Sequence, residues 1–133
     1  MERPKRSIEI PGLSHGKAPI PMGARVGNIL YSSAISGREP GTLRLPPTVG
    51  EQAALAFAHM RALLKEAGAD LSDVVRMSVA IRDDTVREAI NAEWLTCFPD
   101  PHDRPARHIA VAGLAGDTLL QIEIVAVIEE KKP

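Results

Sequence analysis

Apolar and polar residues alternate near the end of the chain in a pattern that predicts a β-strand. Between residues 119 and 128 every even-numbered position is apolar, whereas the odd-numbered positions include Gln121 and Glu123. Successive side chains of a strand point to opposite faces of its sheet. The segment therefore predicts a core strand with one apolar face and one mixed face. A shorter apolar run directly after Arg107 predicts the strand before it.

Two other segments repeat apolar residues every three or four positions, which is typical of amphipathic helices. The first covers residues 48–67 and opens with Thr-Val-Gly-Glu, the signature of a capping box in which two side chains satisfy free amides of the first turn. His59 lies off its apolar stripe and is predicted to face solvent. The second helix is predicted to begin with a similar box at Thr85, and its apolar stripe includes Trp94.

Four further strands are predicted from short apolar runs, at residues 8–10, 24–26, 29–33 and 74–81. The dipeptide Gly27-Asn28 is typical of a tight hairpin between two of them. In the last of the four, Val75 is predicted to share the core face with Met77. Six strands against two helices predict an α+β fold, in which one mixed sheet carries both helices on one face of a single domain spanning residues 1–133. The half-apolar second face predicts oligomerisation through the sheet.

The composition fits one domain and disfavours several classes of function. A chain of 133 residues with 44% hydrophobic content can bury one core. A net charge of −1 and 3% aromatic residues argue against a nucleic-acid partner, and no apolar run is long enough for a membrane span. The single cysteine, Cys97, precludes an internal disulfide and fits a cytoplasmic location. The histidines lack metal-ligand spacing, and phosphate-loop and nucleophile-elbow motifs are absent, which disfavours kinases, metallohydrolases and serine hydrolases.

Three features are candidates for a binding or catalytic site. Arg107 follows Pro105 at the start of a strand, where a planar guanidinium can pair with a carboxylate through two parallel hydrogen bonds. Gln121 and Glu123 on the mixed strand face either form a solvated sheet surface or handle a water molecule in a site. The small residues at positions 32–34 either let the backbone approach a ligand or relieve crowding within the sheet.

Six short motifs, spread over nearly the whole chain, point to a known family. They are Val26-Gly-Asn-Ile-Leu-Tyr-Ser-Ser33, Glu51-Gln52, Ala67-Gly-Ala-Asp-Leu-Ser-Asp-Val-Val75, Asn91 with Trp94 and Phe98, Pro105-Ala-Arg107, and Leu120-Gln-Ile-Glu-Ile124. In this order they resemble the Rid family of reactive intermediate deaminases, also called YjgF-like proteins. The resemblance implies a chorismate-mutase-like α+β fold and a homotrimer with three clefts, each between neighbouring subunits.

The resemblance also implies an activity and a set of site residues. Active Rid proteins hydrolyse enamines and imines derived from amino acids to a 2-oxo acid and ammonia, without a metal or organic cofactor. On the family pattern Arg107 pairs with the substrate carboxylate, Ser33 lies in the cleft, and Gln121 stands where a glutamate activates the water. Trp94 joins the expected substrate-binding residues, although its place on the helix stripe also fits the core or a subunit interface.

Several cleft positions depart from the family pattern. Ile20 replaces a tyrosine, Ala34 a glycine and Ile109 a cysteine, and the two isoleucines make the expected cleft less polar. Gln121 can orient a water molecule but cannot accept its proton. Glu123, on the same strand face, is the predicted substitute base.

Two functional hypotheses follow from these residues. The first is an enamine/imine deaminase, a hydrolase acting on small imines that carry a carboxylate, because Arg107 and Ser33 are kept. The second is a trimer of the same fold that binds an apolar carboxylate or regulates a partner without turnover, because the family glutamate is absent. His108 is a weaker candidate for the base, since strand alternation points it away from Arg107.

Overall fold

The computed structural model describes residues 4–129, and the framework of the protein is one six-stranded sheet. The strands are β1 (Ser7–Ile8), β2 (Gly23–Val26), β3 (Ile29–Ser32), β4 (Val74–Ile81), β5 (Ala106–Val111) and β6 (Leu120–Val127). Their order across the sheet is β1-β2-β3-β6-β4-β5, and every neighbouring pair is antiparallel except the parallel pair β4 and β5. The predicted mixed sheet is confirmed, and the predicted domain extends beyond the described residues at both ends.

Two helices, α1 (Val49–Glu66) and α2 (Arg87–Cys97), cover one face of this sheet. Helix α1 packs on β6, and α2 forms the connection between the parallel strands β4 and β5. Their apolar stripes meet the buried face of the sheet in one core, whose largest fully buried side chains include Phe57, Leu63, Met77, Ile90, Leu120, Ile122 and Ile124. Across residues 4–129, neither helix combines the length and the apolar content that crossing a bilayer requires.

The alternation predicted for β6 is confirmed, but one residue of β4 was assigned to the wrong face. The register between β4 and β6 shifts between Val74 and Arg76, so that a bulge takes up one extra residue. Val74 occupies the buried position at 5% exposure, whereas Val75 is 47% exposed. A bulge reverses the facing of the residues on one side of it, and a period-two pattern alone does not reveal where it falls.

Both helices begin where the sequence indicates, but neither has the predicted reciprocal capping box. At α1 the Glu51 amide donates to the Thr48 hydroxyl oxygen at 3.2 Å, and the Thr48 hydroxyl donates to the Glu51 carboxylate at 2.8 Å. Before α2 a turn at Asp84–Val86 comes first, and the Asp83 carboxylate accepts the Thr85 amide at 2.9 Å. A carboxylate two residues upstream thus takes the capping role that the sequence pattern assigned to Thr85.

We expect Thr48→Ala to lower the free energy of unfolding by about 1 kcal/mol, the usual worth of a threonine N-cap. The loss arises because the Glu51 amide, which the Thr48 hydroxyl satisfies, would be left without that acceptor. Urea unfolding followed by circular dichroism measures the change. Thr96→Ala is the matched control, since the exposed Thr96 hydroxyl only donates back to the Ala92 carbonyl within α2. Equal stability of Thr48→Ala and the natural protein would contradict the capping role.

The face of the sheet opposite the helices carries exposed apolar side chains. Ile29 and Tyr31 of β3 are 47% and 59% exposed, and they pair with Val127 and Val125 of β6. Neighbouring side chains on one sheet face form a continuous surface. A protein rarely leaves such an apolar surface in water unless it is an interaction site. We call this face of the sheet, which lies opposite the two helices, the open face.

Candidate functional site

Arg107 lies on the helix-covered face of the sheet, near the start of the edge strand β5. It pairs with Met77, which is fully buried and pairs in turn with the buried Ile124 of β6. The Arg107 guanidinium lies over the Trp94 ring of α2, with Cζ 4.9 Å from the ring centroid. Trp94 is held in this position by an edge-to-face contact with Phe98, at 4.8 Å between ring centroids. The predicted arginine is therefore a fixed, stacked cation rather than a mobile surface side chain.

The Arg107 cation lacks a full set of partners. Its Nη1 atom is buried and makes no hydrogen bond to any residue in the range 4–129. Burial lowers the pKa of Arg107, and the positive charge of Arg87 lowers it further. Both effects disfavour the charged form, although a guanidinium keeps its proton in proteins. A bound carboxylate would supply the missing acceptor and the missing negative charge, and a guanidinium can hold it through two parallel hydrogen bonds.

The chain leading into β5 is fixed by a second arginine. Arg104 Nε donates to the Phe98 carbonyl at 2.8 Å, and its Nη2 donates to the Pro99 carbonyl at 3.4 Å. These bonds tie the segment before Arg107 to the end of α2, where Trp94 lies. Ile109 follows Arg107 on the same face of β5 and packs against the core as a partly buried side chain. The anchor, the aromatic ring and the predicted apolar cleft residue thus share one side of the sheet.

Gln121 and Glu123 lie on the open face, on the other side of the sheet from Arg107. Gln121 pairs with Ala80 and Glu123 with Ser78, and the four line a small groove of about 130 Å³. The Glu123 side chain is exposed, as expected for a solvated sheet surface. Within one chain, therefore, the structure does not bring Arg107, the predicted carboxylate anchor, and these two polar residues to the same face.

A larger cavity, of about 420 Å³, opens beside Gln121 at the end of the sheet. We call it the N-loop cavity, because the N-terminal loop and the segment after β3 close it over α1. Its polar lining side chains come from Ser14, His15, Ser36, Arg38, His59 and Gln121, with Ala34 among the small residues of its wall. The volume lies within the range of small-molecule sites. Two predicted site residues, Ala34 and Gln121, thus line one cavity.

His59 corrects an expectation from the sequence, because it is buried at 5% exposure instead of facing solvent. Its Nε2 donates to the Arg38 carbonyl at 2.6 Å. The segment containing Arg38 lies directly on α1, since a Cβ added at Gly37 would come within 2.0 Å of the Gln52 carbonyl oxygen. Only a glycine permits this approach. Helical periodicity in a sequence shows which face of a helix packs on the core. It does not show that a loop covers the opposite face of the same helix.

Gln52 was missed as a positioning residue, although it belongs to the Glu51-Gln52 motif. It is 1% exposed, and its Nε2 donates to the carbonyls of Pro46 and Asp117 at 3.0 and 3.1 Å. Its Oε1 accepts the Leu119 amide at 2.9 Å. These bonds join α1 to the chain just before β6 and so fix the position of Gln121. A polar residue beside the apolar stripe of α1 was the available signal, since buried amides need partners.

Ser33 and Ile20 belong to the chain segments that form the N-loop cavity. The Ser33 hydroxyl donates to the Pro21 carbonyl at 2.7 Å, and its amide donates to the Met22 carbonyl at 2.9 Å. The hydroxyl proton is therefore committed, and its oxygen remains available as an acceptor for a ligand. Ile20, one residue before Pro21, is 48% exposed. His108 is exposed and pairs with Ser78, so its predicted direction, away from Arg107, is confirmed.

Comparisons with known proteins agree on one family. A family model described as Endoribonuclease L-PSP matches residues 18–128. A 2-iminobutanoate/2-iminopropanoate deaminase from Dermatophagoides farinae is 33% identical over 95% of this chain and 98% of its own length. The crystal structure of RidA from Psychrobacter sp. PAMC 21119 superimposes with a TM-score of 0.84 at 26% identity, covering 93% of this chain and all of that one. Escherichia coli TdcF with bound serine gives a TM-score of 0.84 at 27% identity, covering 94% and 100%.

Proposed function

Because the chain belongs to the Endoribonuclease L-PSP family, which is the Rid or YjgF-like family, we propose that it hydrolyses imines and enamines of small carboxylates to a 2-oxo acid and ammonia. The observation that carries this proposal is the buried, unpartnered Nη1 of Arg107, stacked on Trp94. Such a group needs an anion, and a carboxylate matches its geometry. A relative named as a deaminase of 2-iminobutanoate and 2-iminopropanoate supports the substrate class.

The reaction needs few protein groups. Arg107 holds the substrate carboxylate, and Gln121 orients a water molecule toward the carbon of the C=N bond. Attack of the water oxygen gives a carbinolamine, which loses ammonia and leaves the 2-oxo acid. Simple imines already hydrolyse in water, so fixing the reactants in place accounts for most of what a site must add. The proposed reaction uses no metal, organic cofactor or nucleic acid. We place the protein in the cytoplasm, because the free thiol of Cys97 agrees with a reducing compartment.

A site of this kind requires more than one chain. Arg107 lies on the helix-covered face, whereas Gln121 lies on the open face and at the N-loop cavity. We propose that the open faces pack together in a homotrimer, and that Arg107 of one subunit meets the N-loop cavity of its neighbour. The exposed Ile29 and Tyr31 support such packing, because burying apolar surface stabilises association.

We expect light scattering to give a mass three times the 14.3 kDa of the chain. Tyr31→Arg should dissociate the trimer, because it would bury an unpaired cation in the interface. Leu95→Arg is the matched control, since Leu95 is similarly exposed but lies on α2, on the opposite side of the molecule from the open face. A stable monomer of the natural protein at micromolar concentration would contradict the trimer.

The proposed activity is tested by ammonia release from 2-iminopropionate and bulkier imines, generated in the assay by an amino-acid oxidase. Faster release with the protein than without it is the expected result. The second candidate function is a trimer that binds carboxylates without turnover, and Gln121 favours it, because an amide cannot accept a proton. Carboxylate binding without acceleration of any imine would decide for this second function.

A further inference from the structure

We propose that His15 is the general base of this site and supplies the proton acceptor that Gln121 cannot provide. The proposal rests on the proposed function, since it names the group that activates the hydrolytic water. His15 lies in the N-terminal loop, and its ring lines the N-loop cavity together with Gln121. Its position in the chain carries no recognisable motif, so the assignment comes from the geometry alone.

The tautomer of His15 is set by the backbone. His15 Nε2 lies 2.8 Å from the carbonyl oxygen of Ala34, which can only accept, so the Nε2 proton is the one donated. In the neutral ring Nδ1 then carries a lone pair and no proton. Nδ1 is buried and has no hydrogen-bond partner among the residues the structure describes. A buried acceptor without a partner is costly, and a hydrogen-bond donor that reaches Nδ1 would remove this cost.

The other polar groups that line the N-loop cavity are less suited to accept a proton. Arg38 is a cation, and its Nη1 already donates to the Leu43 carbonyl at 2.9 Å. His59, a residue of α1, donates to the Arg38 carbonyl and is 5% exposed. Gln121 has an amide, which can orient water but is not basic. The described residues that line this cavity include no carboxylate, and His15 Nδ1 is a basic atom of the lining that has no hydrogen-bond partner in that part of the chain.

In the proposed reaction His15 Nδ1 carries each proton from oxygen to nitrogen. His15 Nδ1 takes a proton from water while the water oxygen bonds to the imine carbon and the C=N electron pair moves to nitrogen. The imidazolium returns that proton to the nitrogen, giving the carbinolamine. Nδ1 then accepts the hydroxyl proton as the C–N bond breaks, and it passes this proton to the departing nitrogen. Ammonia and the 2-oxo acid leave, and His15 returns to its neutral form. A carbonyl that orients the base is a common arrangement for a catalytic histidine.

The test measures kcat/KM for 2-iminopropionate hydrolysis by the natural full-length protein and by four variants of it. We expect His15→Gln to lower kcat/KM by about tenfold or more, because general-base help is typically worth more than that. His15→Asn is a second, smaller replacement in case the glutamine disturbs the loop. His102→Gln is the matched control, since His102 is exposed and lies in the loop after α2. Added imidazole should restore part of the rate to His15→Ala.

A second readout separates a base from a structural group. In the Gln121→Glu background a carboxylate lines the same cavity and can act as the base. His15→Gln should therefore lower kcat/KM by less than about threefold there, because the effects of two groups that share one role do not add. An equal loss in both backgrounds would overturn the proposal. An active protein whose rate is unchanged by His15→Gln would overturn the base assignment alone, whereas a protein that accelerates no imine would overturn the proposed function itself.

Discussion

Replacing Arg107 by lysine is expected to weaken the binding of small carboxylates by about 1–3 kcal/mol, the range for hydrogen bonds to charged groups. Lysine keeps the positive charge, but it has no planar fork to meet both carboxylate oxygens. It also lacks the flat guanidinium that lies over the Trp94 ring. The buried Nη1 atom, which has no hydrogen-bond partner within residues 4–129, belongs to the guanidinium, so the lysine variant has no donor at that position.

Calorimetric titration with 2-oxobutyrate or benzoate measures this effect in the natural and Arg107→Lys proteins. Arg6→Lys is the matched control, because Arg6 is an exposed arginine in the N-terminal segment, before β1. We expect the control to bind as the natural protein does. Equal affinities for Arg107→Lys and the natural protein would remove Arg107 from the carboxylate site.

Gln121→Glu is expected to raise the rate of imine hydrolysis by on the order of tenfold to a hundredfold. General-base help is worth roughly 10²–10⁴-fold, and the proposed base His15 already supplies part of it. The volume of the side chain hardly changes, and Gln52 still fixes the start of β6, so the fold should survive. The new carboxylate would line the N-loop cavity, where Arg38 provides a positive charge that favours its ionised form.

The rate is measured as ammonia release at equal protein concentration, with circular dichroism to confirm the fold. Glu123→Gln is the companion variant, because Glu123 was the sequence-based candidate for the base and shares the groove with Gln121. A rate that falls in Glu123→Gln but not in His15→Gln would assign the proton to the exposed carboxylate. A folded Gln121→Glu trimer with no gain would mean that position 121 does not contact the reacting water.

The parts of the fold that local patterns determine were predictable from the sequence. The alternation in β6 and the stripe of α1 follow from which side chains the core must bury, and each pattern spans several turns or pairs. The hairpin at Gly27 was equally clear, since its φ of +59° suits a glycine. These features need no knowledge of distant contacts.

Two of the misassigned residues, Val75 and His59, share one cause, which is a contact with a distant part of the chain. Val75 is displaced by a bulge in the register with β6. His59 is buried by the segment that Gly37 allows onto α1. The cap before α2 was misassigned for a local reason, because the Asp83 carboxylate accepts the Thr85 amide and caps the turn that precedes the helix. Sequence periodicity describes one helix or strand at a time. It does not show which distant segment of the chain covers the second face of that element.

The candidate site was predictable only in part for the same reason. Arg107 was indicated by residue type and by its place at a strand start, and the resemblance supplied its role. The stacking on Trp94 and the unpartnered Nη1 required the structure. His15 carried no sequence signal, because its tautomer depends on the Ala34 carbonyl, nineteen positions away. Arg107 and Gln121 lie on opposite faces of the sheet, so the proposed site draws on two chains.

The central claim, that the reaction centre is shared between two subunits, is tested most directly by mixing two inactive variants. Arg107→Ala lacks the carboxylate anchor, and Gln121→Leu lacks the group that orients the water. If the site joins Arg107 of one subunit to Gln121 of its neighbour, mixed trimers formed by unfolding and refolding the two variants together contain intact sites. Imine hydrolysis should then rise well above that of either variant refolded alone. A mixed sample no more active than its two parents, although mass spectrometry shows mixed trimers, would contradict the shared site.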